Sequence, residues 1–561
     1  MLIRLQIEVR PAKEAVRFRR LFDALERLFP VTIQPAPAND PETFSEAALL
    51  LGIDRTAALQ IARRGIACYA AMGSEATLSP LDSKTATSAP VTVHFHKNIP
   101  SEPLLNDNTL IEFGDSGAGE LVVGSGDSPV ADREGKLFWT RHDCGSGSVD
   151  FVATTLPALG PHDYLCHFFS GESFCRLLPL ICFLRRLCSK RLGWTPPPKR
   201  GCFVFDDPNL RAFRYGCLDF RQLASTTQQQ GLHAAIATIP IDADEADRKV
   251  CGLFRERAGH ISLMPHGNNH VWHELARPEK DGLQIQLMAQ ALRRVERLTA
   301  QHGVTVSRIM EPPYGIVNRE FIQALASLDY AGVLVTPSQF LKVNTSYDGP
   351  ASFGMERAET FTNGLGMIPR IVMGNKAPTE MVLAALLDQP IVVAAHHYDV
   401  ADGMSWLSSY AARLQTGGPI QWCDLSTLLE GSYETLAEND RLRIRTGART
   451  IKVTIPDNIH AIIVERPWIH SLVREPLCIR TTSDEIVAKV TVGDVSDPIP
   501  IPAGTTLRIE TTPSNIQPAD RITDPGVALW PKVRRTLMEA RDRLYPWALK
   551  YLEPLLPGND F

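Results

Sequence analysis

The sequence lacks the features that would place it in several specialised classes of protein. Its 11 cysteines are odd in number and show no Cys-x-x-Cys spacing, so we expect neither a disulfide scaffold nor a zinc ribbon. The 58 basic and 63 acidic residues nearly cancel, to a formal charge of −5, which gives no basic footprint for nucleic acid. The longest apolar run near the middle of the chain, Leu177 to Leu184, is far shorter than the roughly 20 residues that a membrane span needs.

The first residues also lack the pattern of a secretory signal. Apolar and polar residues alternate from Met1 to Arg10, which is typical of a half-buried strand and not of an apolar signal core. The glycine-rich stretch from Gly114 to Asp127 has neither a P-loop lysine nor a full dinucleotide fingerprint, so a surface loop is favoured over a phosphate site. We therefore expect a cytoplasmic protein, provided that the given start is the native one.

The chain of 561 residues is too long for one hydrophobic core, and three domains are predicted. Residues 1–194 have the pattern of an N-terminal α/β accessory domain with a helical linker, the linker helix being expected over 161–193. Residues 195–432 alternate between strands and helices. Residues 433–561 contain short alternating segments split by Pro, Gly and Asn, which predict a C-terminal β-sandwich with a terminal helix.

The central part carries the clearest local patterns. A helix is predicted over 220–230, ending at Gly231, with strands over 234–239, 332–335 and 391–395. Strands that alternate with helices in this way pair in parallel. The predicted fold class is therefore α/β, with a (β/α) barrel as the catalytic domain.

Two adjacent carboxylates end the apolar run from Cys202 to Phe205. Such a run predicts a buried strand, and Pro208 cannot continue it. Asp206 and Asp207 are therefore expected where a strand passes into a loop, the end at which α/β folds place their chemistry. Because Asp-Asp-Pro is also a common turn sequence, the pair alone does not identify a site.

Three further polar clusters follow predicted strands downstream. They are His266 and His270 after 261–264, Pro313 and Tyr314 in the turn 311–315, and His396, His397 and Asp399 after 391–395. Two histidines four residues apart, as in the first cluster, can bring both imidazoles to one metal ion. Four strands that each end in a polar cluster predict one shared site.

The order of these clusters resembles the polysaccharide deacetylase superfamily, which comprises the NodB-homology domain and carbohydrate esterase family four. The resemblance covers roughly residues 200–432. It implies that Asp206 is the general base and that Asp207 is a metal ligand. It also implies that His266 and His270, as the family's His-x-x-x-His motif, are metal ligands, and that the barrel is distorted, with about seven strands.

The resemblance implies roles for the other clusters as well. The residues expected to contact the substrate are Asn209, Pro313, Tyr314 and Asp399, of which Pro313 and Tyr314 match a Pro-Pro-Tyr motif that lines the family's groove. One of His396 and His397 matches the family's histidine general acid. We favour His396 because it directly ends the apolar run, and Asp399 lies near enough in sequence to orient either ring.

The sequence departs from the family pattern at several positions. The third motif usually opens with an arginine that braces the catalytic aspartate, and that position holds Glu311. A carboxylate there would make ionisation of Asp206 harder. Arg370 could replace the missing arginine or be a surface charge. With Pro208 and Gly267 in place of the usual residues, and no clear match to the tryptophan-bearing fourth motif, the chain is predicted to be a divergent member.

The expected activity is that of a metal-dependent deacetylase or amidohydrolase, which removes acetyl or other acyl groups from an N-acetylated sugar or polysaccharide. One aspartate and two histidines leave open positions on a divalent metal, with zinc the first choice and cobalt, nickel or iron left open. Two alternatives remain. One is a small-amide or cyclic-imide hydrolase of the same superfamily, with or without a metal, and the other is a non-catalytic glycan-binding protein.

Overall fold

The computed structural model describes residues 5–36, 47–72, 89–97, 102–114, 118–189, 194–277, 282–470, 472–513, 515–526 and 529–551. All eleven cysteines lie in these ranges and carry free thiols. Among the helices described, none is both long and apolar enough to cross a membrane.

The N-terminal part is built on one mixed sheet. Its elements are β1 (Leu5–Arg10), α1 (Ala12–Arg17), α2 (Arg19–Leu28), β2 (Val31–Pro35), β3 (Ala47–Leu51), α3 (Arg55–Ala62), β4 (Ala67–Ala71), β5 (Val91–Phe95), β6 (Thr109–Glu112), β7 (Asp127–Arg133), β8 (Lys136–Asp143), β9 (Ser148–Val152) and α4 (Leu178–Ser189). Within the described residues the strand order is β2-β1-β3-β4-β9-β8-β7-β5-β6. In this order, neighbouring strands pair in parallel as far as β9, and from β9 onward to β6 they pair antiparallel.

The helix predicted over 161–193 is much shorter in the structure, so that prediction is wrong for its first half. Within the described part of this segment, regular helix is confined to α4, preceded by a short 3₁₀ turn at Leu165–His167, and residues 190–193 lie outside the described residues. The amides of Phe174 and Cys175 donate to the buried carboxylate of Glu112, over 2.7 and 3.0 Å. These amides therefore have a partner on β6, and the segment before α4 is tied to the sheet.

The central part contains a parallel sheet, a mixed sheet and a small antiparallel pair of strands. Its elements are β10 (Arg200–Asp206), β11 (Arg214–Tyr215), β12 (Leu218–Asp219), α5 (Phe220–Gln230), β13 (Ala234–Thr238), α6 (Arg248–Glu256), β14 (Ile261–Pro265), α7 (Leu283–His302), β15 (Ile309–Met310), α8 (Arg319–Ser327), β16 (Gly332–Val335), α9 (Pro337–Val343), β17 (Glu359–Thr360), β18 (Gly366–Pro369), β19 (Ile371–Val372), α10 (Ala377–Leu386), β20 (Ile391–His396), α11 (Ser405–Ala412), β21 (Gln421–Trp422) and α12 (Leu425–Glu430).

The pairing of these strands explains how distant motifs meet. The parallel sheet has the order β14-β13-β10-β20-β19, with β21 paired to the start of β10. The mixed sheet has the order β15-β16-β18-β17, in which β17 pairs antiparallel with β18, and the small antiparallel pair is formed by β11 and β12. Two isolated parallel bridges, Leu263 to Val306 and His266 to Glu311, join the first sheet to the second. Only Arg370 separates β18 from β19, so the two sheets also adjoin at their other edge.

Local sequence accounts for the central elements. All seven residues of β10 are buried, as a parallel strand covered on both faces requires. Helix α5 begins where the side chain of Asp219 accepts hydrogen bonds from two first-turn amides, and it ends at Gly231 with φ of 63°. The loops that follow β10, β14 and β20 therefore start from fixed strand ends.

The C-terminal part contains two four-stranded sheets and a long helix. Its elements are β22 (Tyr433–Glu438), β23 (Arg441–Thr446), β24 (Thr450–Thr454), β25 (Ala461–Glu465), β26 (Glu475–Thr481), β27 (Ile486–Val492), β28 (Ile499–Pro500), β29 (Thr506–Thr511) and α13 (Leu529–Tyr551). The described sheets have the orders β22-β23-β25-β28 and β24-β29-β26-β27. Side chains from both sheets share one apolar cluster, and α13 returns to the central part.

Candidate active site

The carboxyl ends of three parallel strands of one sheet bring the predicted site residues together. In the register of the sheet, Asp206 at the end of β10 lies beside His396 at the end of β20. The other edge of β10 pairs with β13, which in turn pairs with β14, and His266 directly follows β14. Residues that are up to 190 positions apart in the sequence therefore surround one point at the carboxyl edge of the sheet.

Asp207, His266 and His270 form a buried cluster with the composition of a metal site. The Nε2 atom of His270 lies 3.0 Å from Oδ1 of Asp207, and Nε2 of His266 lies 3.6 Å from the same oxygen. One ligand atom of each residue lies within 4.8 Å of the others. Since a zinc ion binds at ~2 Å per ligand, these three atoms can surround one ion with small adjustments.

The tautomer and charge of these groups suit metal binding. The Nδ1 atom of His266 lies 3.1 Å from the carbonyl oxygen of Glu311, which can only accept, so Nδ1 carries the proton and the Nε2 lone pair faces the cluster. Burial lowers the pKa of His266 to about 4, so its imidazole is neutral near pH 7. Burial alone would raise the pKa of Asp207, but the imidazoles of His270 and His266 hold it well below its usual range.

The loop that carries the two histidines is fixed from behind by Glu274, a residue that sequence reasoning missed. Its buried carboxylate accepts hydrogen bonds from the amides of Asn268, Asn269 and His270, over 2.9, 2.8 and 3.1 Å. Gly267 in this loop has φ of 59°, and a Cβ there would come within 2.7 Å of Pro313 and 2.8 Å of Glu274. Glycine at this position, where the family has Ser or Thr, is therefore explained by strain and lack of space.

Arg370, expected either to replace the missing arginine or to be a surface charge, lies against Asp206. Its Nη1 atom lies 3.3 Å from Oδ2 of Asp206 and also contacts the carboxylate of Glu311. All three side chains are buried, so Arg370 is not a surface charge. The guanidinium of Arg370, between β18 and β19, balances the charges of both carboxylates. The sequence alone predicts that these two carboxylates repel each other.

A second group of three residues, Asp206, His266 and Glu311, is also close enough to hold an ion. The guanidinium of Arg370 already lies against both of its carboxylates. A metal ion there would have to approach that positive charge closely. The cluster of Asp207 with the two histidines is therefore the better candidate.

The two adjacent histidines at the end of β20 face different surroundings. The side chain of His396 is 33% exposed, and its ring stacks on Tyr398 with ring centroids 5.0 Å apart. Its backbone amide donates to Asp399 over 2.7 Å. The side chain of His397 is 4% exposed, and its Nε2 lies 3.6 Å from Oδ1 of Asp542 on α13. Asp399 thus fixes the backbone at His396, while His397 lies under the C-terminal helix.

The other residues expected to contact substrate differ in access. Tyr314 is half exposed, with its ring 6.0 Å from that of His270, whereas the adjoining Pro313 is buried. Asn209 is buried and interacts with Glu539 of α13. Tyr314 is therefore open to a ligand at the cluster, and Asn209 is enclosed between its loop and the helix.

Several solved structures are similar to this chain at low sequence identity. No protein-family model and no curated protein matches. Among solved structures, Agd3, described as a novel carbohydrate deacetylase, is similar at 9% identity with a TM-score of 0.44, over 91% of this chain and 99% of that one. The Xyl-CE4 domain of a multidomain xylanase from the hindgut metagenome of Trinervitermes trinervoides is similar at 12% identity and a TM-score of 0.26, over 42% and 90%.

A family 4 carbohydrate esterase from Streptomyces lividans, solved in complex with acetate, is similar at 15% identity and a TM-score of 0.22, over 41% of this chain and 92% of that one. All three similarities are at low sequence identity, and each has a TM-score below 0.5. What the site can do follows from its own geometry.

Proposed function

We propose that the protein is a metal-dependent hydrolase that removes acyl groups, acetyl first among them, from an N-acetylated sugar or polysaccharide. The observation that carries this proposal is the buried convergence of Asp207, His266 and His270 beside a second carboxylate, Asp206, that is ion-paired with Arg370. A divalent ion held by the first three residues would supply a Lewis acid for the amide carbonyl and for the attacking water. Zinc is our first choice for a ligand set of one oxygen and two nitrogens.

The neighbouring side chains are suited to the proton transfers. Asp206 takes a proton from the attacking water, and the ion pair with Arg370 holds its carboxylate in place. His396 gives a proton to the leaving amine. Its partial exposure and its place beside Asp206 in the sheet register support this role, whereas His397 is turned toward Asp542. Tyr314 and Asp399 border the open side, where we place the substrate.

The architecture that we propose follows the same resemblance. The strands of the central part, joined by isolated bridges and by the continuous passage through Arg370, correspond to a distorted barrel that spans 195–432. The N-terminal sheet within 1–194 is then the accessory domain. The two C-terminal sheets within 433–561, which share an apolar cluster, correspond to the β-sandwich followed by α13.

Metal content tests the proposal directly. The full chain, loaded with zinc and dialysed, should hold one equivalent, and Asp207→Ala, His266→Ala and His270→Ala should each lose it. His460→Ala, at an exposed histidine, is the matched control and should bind as the wild type does. Release of acetate from N-acetylated oligosaccharides is then measured with the loaded protein. A wild-type protein that binds no divalent metal would falsify the proposal.

The same assay separates the alternatives. Hydrolysis of small amides or cyclic imides without release of acetate from glycans would favour the small-amide hydrolase. Glycan binding by the metal-loaded protein without any hydrolysis would favour the non-catalytic reading. The hypothesis of a non-catalytic protein depended on the missing arginine, and the contact between Arg370 and Asp206 argues against it.

A further inference from the structure

We propose that the C-terminal helix α13 is part of the metal site, with Arg534 and Arg535 as positioning residues that hold the main chain of Asp207 and His270. This inference rests on the proposed metal site and adds a structural component from outside the part that resembles a deacetylase. The two arginines lie more than 260 residues from the backbone groups that they hold.

Arg535 makes the most extensive of these contacts. Its side chain is buried, and its Nη2 atom donates to the carbonyl oxygen of Asp207 over 2.7 Å. The same guanidinium donates from Nε to Oδ2 of Asp242 over 2.6 Å and from Nη1 to the hydroxyl of Tyr215 over 3.1 Å. A planar guanidinium held by three acceptors has little freedom, so it fixes the peptide plane that follows Asp207.

Arg534, the neighbouring residue, makes the matching contact to the histidine loop. Its Nη1 atom donates to the carbonyl oxygen of His270. One turn of α13 therefore holds the backbone of two of the three proposed ligand residues. The third, His266, is held separately through its ring nitrogen by the carbonyl of Glu311.

The backbone of both ligand residues needs such support. Asp207 has φ of 82° and His270 has φ of 54°, in the left-handed region that residues with a Cβ seldom occupy. Such conformations persist only where the surrounding structure holds them, and they cluster at functional sites. A donor on the carbonyl oxygen restrains ψ of the same residue, and thereby the direction of its side chain.

Further contacts fasten α13 over the same loops. Asp542 accepts a hydrogen bond from the hydroxyl of Tyr215 over 2.6 Å and faces Nε2 of His397. Glu539 pairs with Arg211 over 2.7 Å. The helix thus reaches the loops after β10, β14 and β20, which carry the proposed aspartates and histidines. A helix that only stabilised the fold would have no need of donors on the carbonyls of two ligand residues.

Zinc affinity of full-length variants tests this role, by competition with a chromophoric chelator. Arg534→Met removes the donor to His270 and leaves the apolar stem, and Arg535→Lys keeps a cation beside Asp242 but cannot reach all three acceptors. We expect each to weaken zinc binding about 10–100-fold, as loss of an outer partner of a ligand does. Circular dichroism of the metal-free proteins should stay unchanged. Arg534→Lys, which retains a donor, should recover part of the affinity.

Arg543→Gln is the matched control, since Arg543 lies on the same helix and contacts only Glu539 in the hydrogen bonds described. It should bind zinc as the wild type does. Equal zinc affinity in the wild type, Arg534→Met and Arg535→Lys would overturn the inference while the metal site stands. A wild type that binds no zinc would overturn both. If Arg535→Lys fails to fold, the zinc affinity of Arg534→Met tests the inference by itself. Arg534 donates to the carbonyl of His270 at a partly buried position, so this variant should still fold.

Discussion

In a variant with Arg370 replaced by Met, stability and activity should respond to pH in opposite directions. The substitution keeps most of the volume and removes the cation that lies against Asp206 and Glu311. Both carboxylates are buried, and within the described residues neither of them forms an ion pair with a cation other than Arg370. The variant therefore has two neighbouring buried charges that nothing balances.

The size of the effect follows from the burial. Loss of one partner of a buried ion pair costs about 3–5 kcal/mol, a large part of the 5–15 kcal/mol of a typical domain. One of the two carboxyls can avoid this cost by taking up a proton in the folded state. The folded variant then binds more protons than the unfolded chain, so its stability falls as the pH rises from about 5 to 8. Activity should change in the opposite direction, because a protonated Asp206 cannot act as a base.

Urea unfolding at pH 5 and pH 8, with deacetylation measured across the same range, tests this reasoning. We expect Arg370→Met to unfold at lower urea than the wild type, with the larger difference at pH 8. The acid limb of its pH–rate profile should move to higher pH. Adding Glu311→Gln should recover much of the stability, because only one charge then remains buried. Arg413→Met, at an exposed arginine, is the control. Unchanged urea midpoints at both pH values would refute the bracing role.

Three other substitutions test the roles at the site. Asp206→Asn should retain zinc and lose about 10²–10⁴-fold in turnover, the usual range for a general base, and loss of the metal with normal turnover per zinc would reverse the two aspartates. His396→Ala should lose most of its turnover in acetate release, whereas His397→Ala should have a mild effect. Equal, small losses in both variants would leave the mechanism without its acid. Burial lowers the pKa of His266 to about 4, so between pH 6.5 and pH 4 the unfolded chain binds a proton that the folded protein does not. The free energy of unfolding of the metal-free protein should therefore fall by about 3 kcal/mol as the pH falls through this range. The same urea titration with His266→Gln should lose much of this pH dependence.

The elements that sequence predicted well are those set by their own residues. The helix over 220–230 and the strand over 332–335 have the predicted bounds, and the strand predicted over 234–239 ends one residue earlier. Each of these has a local cause, such as the Asp219 cap, the left-handed Gly231 or a continuous apolar run. The convergence of Asp207, His266 and His270 followed from a similar rule, since each lies just past the end of a parallel strand.

What sequence could not predict depends on contacts between distant segments. Arg370 is one arginine among many, and nothing beside it in the chain indicates that it faces Asp206. Arg535 lies 328 residues from Asp207, on a helix that the sequence predicted only as the terminal helix. Two amides of the segment 161–177, those of Phe174 and Cys175, donate to Glu112 on β6, a contact that nothing near them in the chain indicates.

The ion pairs of the buried site have a consequence for which ion it can accept. Among the groups nearest to the proposed ion, Asp206, Asp207 and Glu311 contribute three negative charges and Arg370 contributes one positive charge, while His266 is neutral near pH 7 and His270 must be neutral to bind an ion. This leaves two uncompensated negative charges in a medium of low permittivity, which one doubly charged cation cancels and a singly charged cation does not. The family pattern, with arginine in place of Glu311, would leave the same two carboxylates and a different balance. At the metal site that we propose, the charge of Glu311 therefore bears on the valence of the ion that fits, and in the metal-free protein the same balance would have to be met by protons.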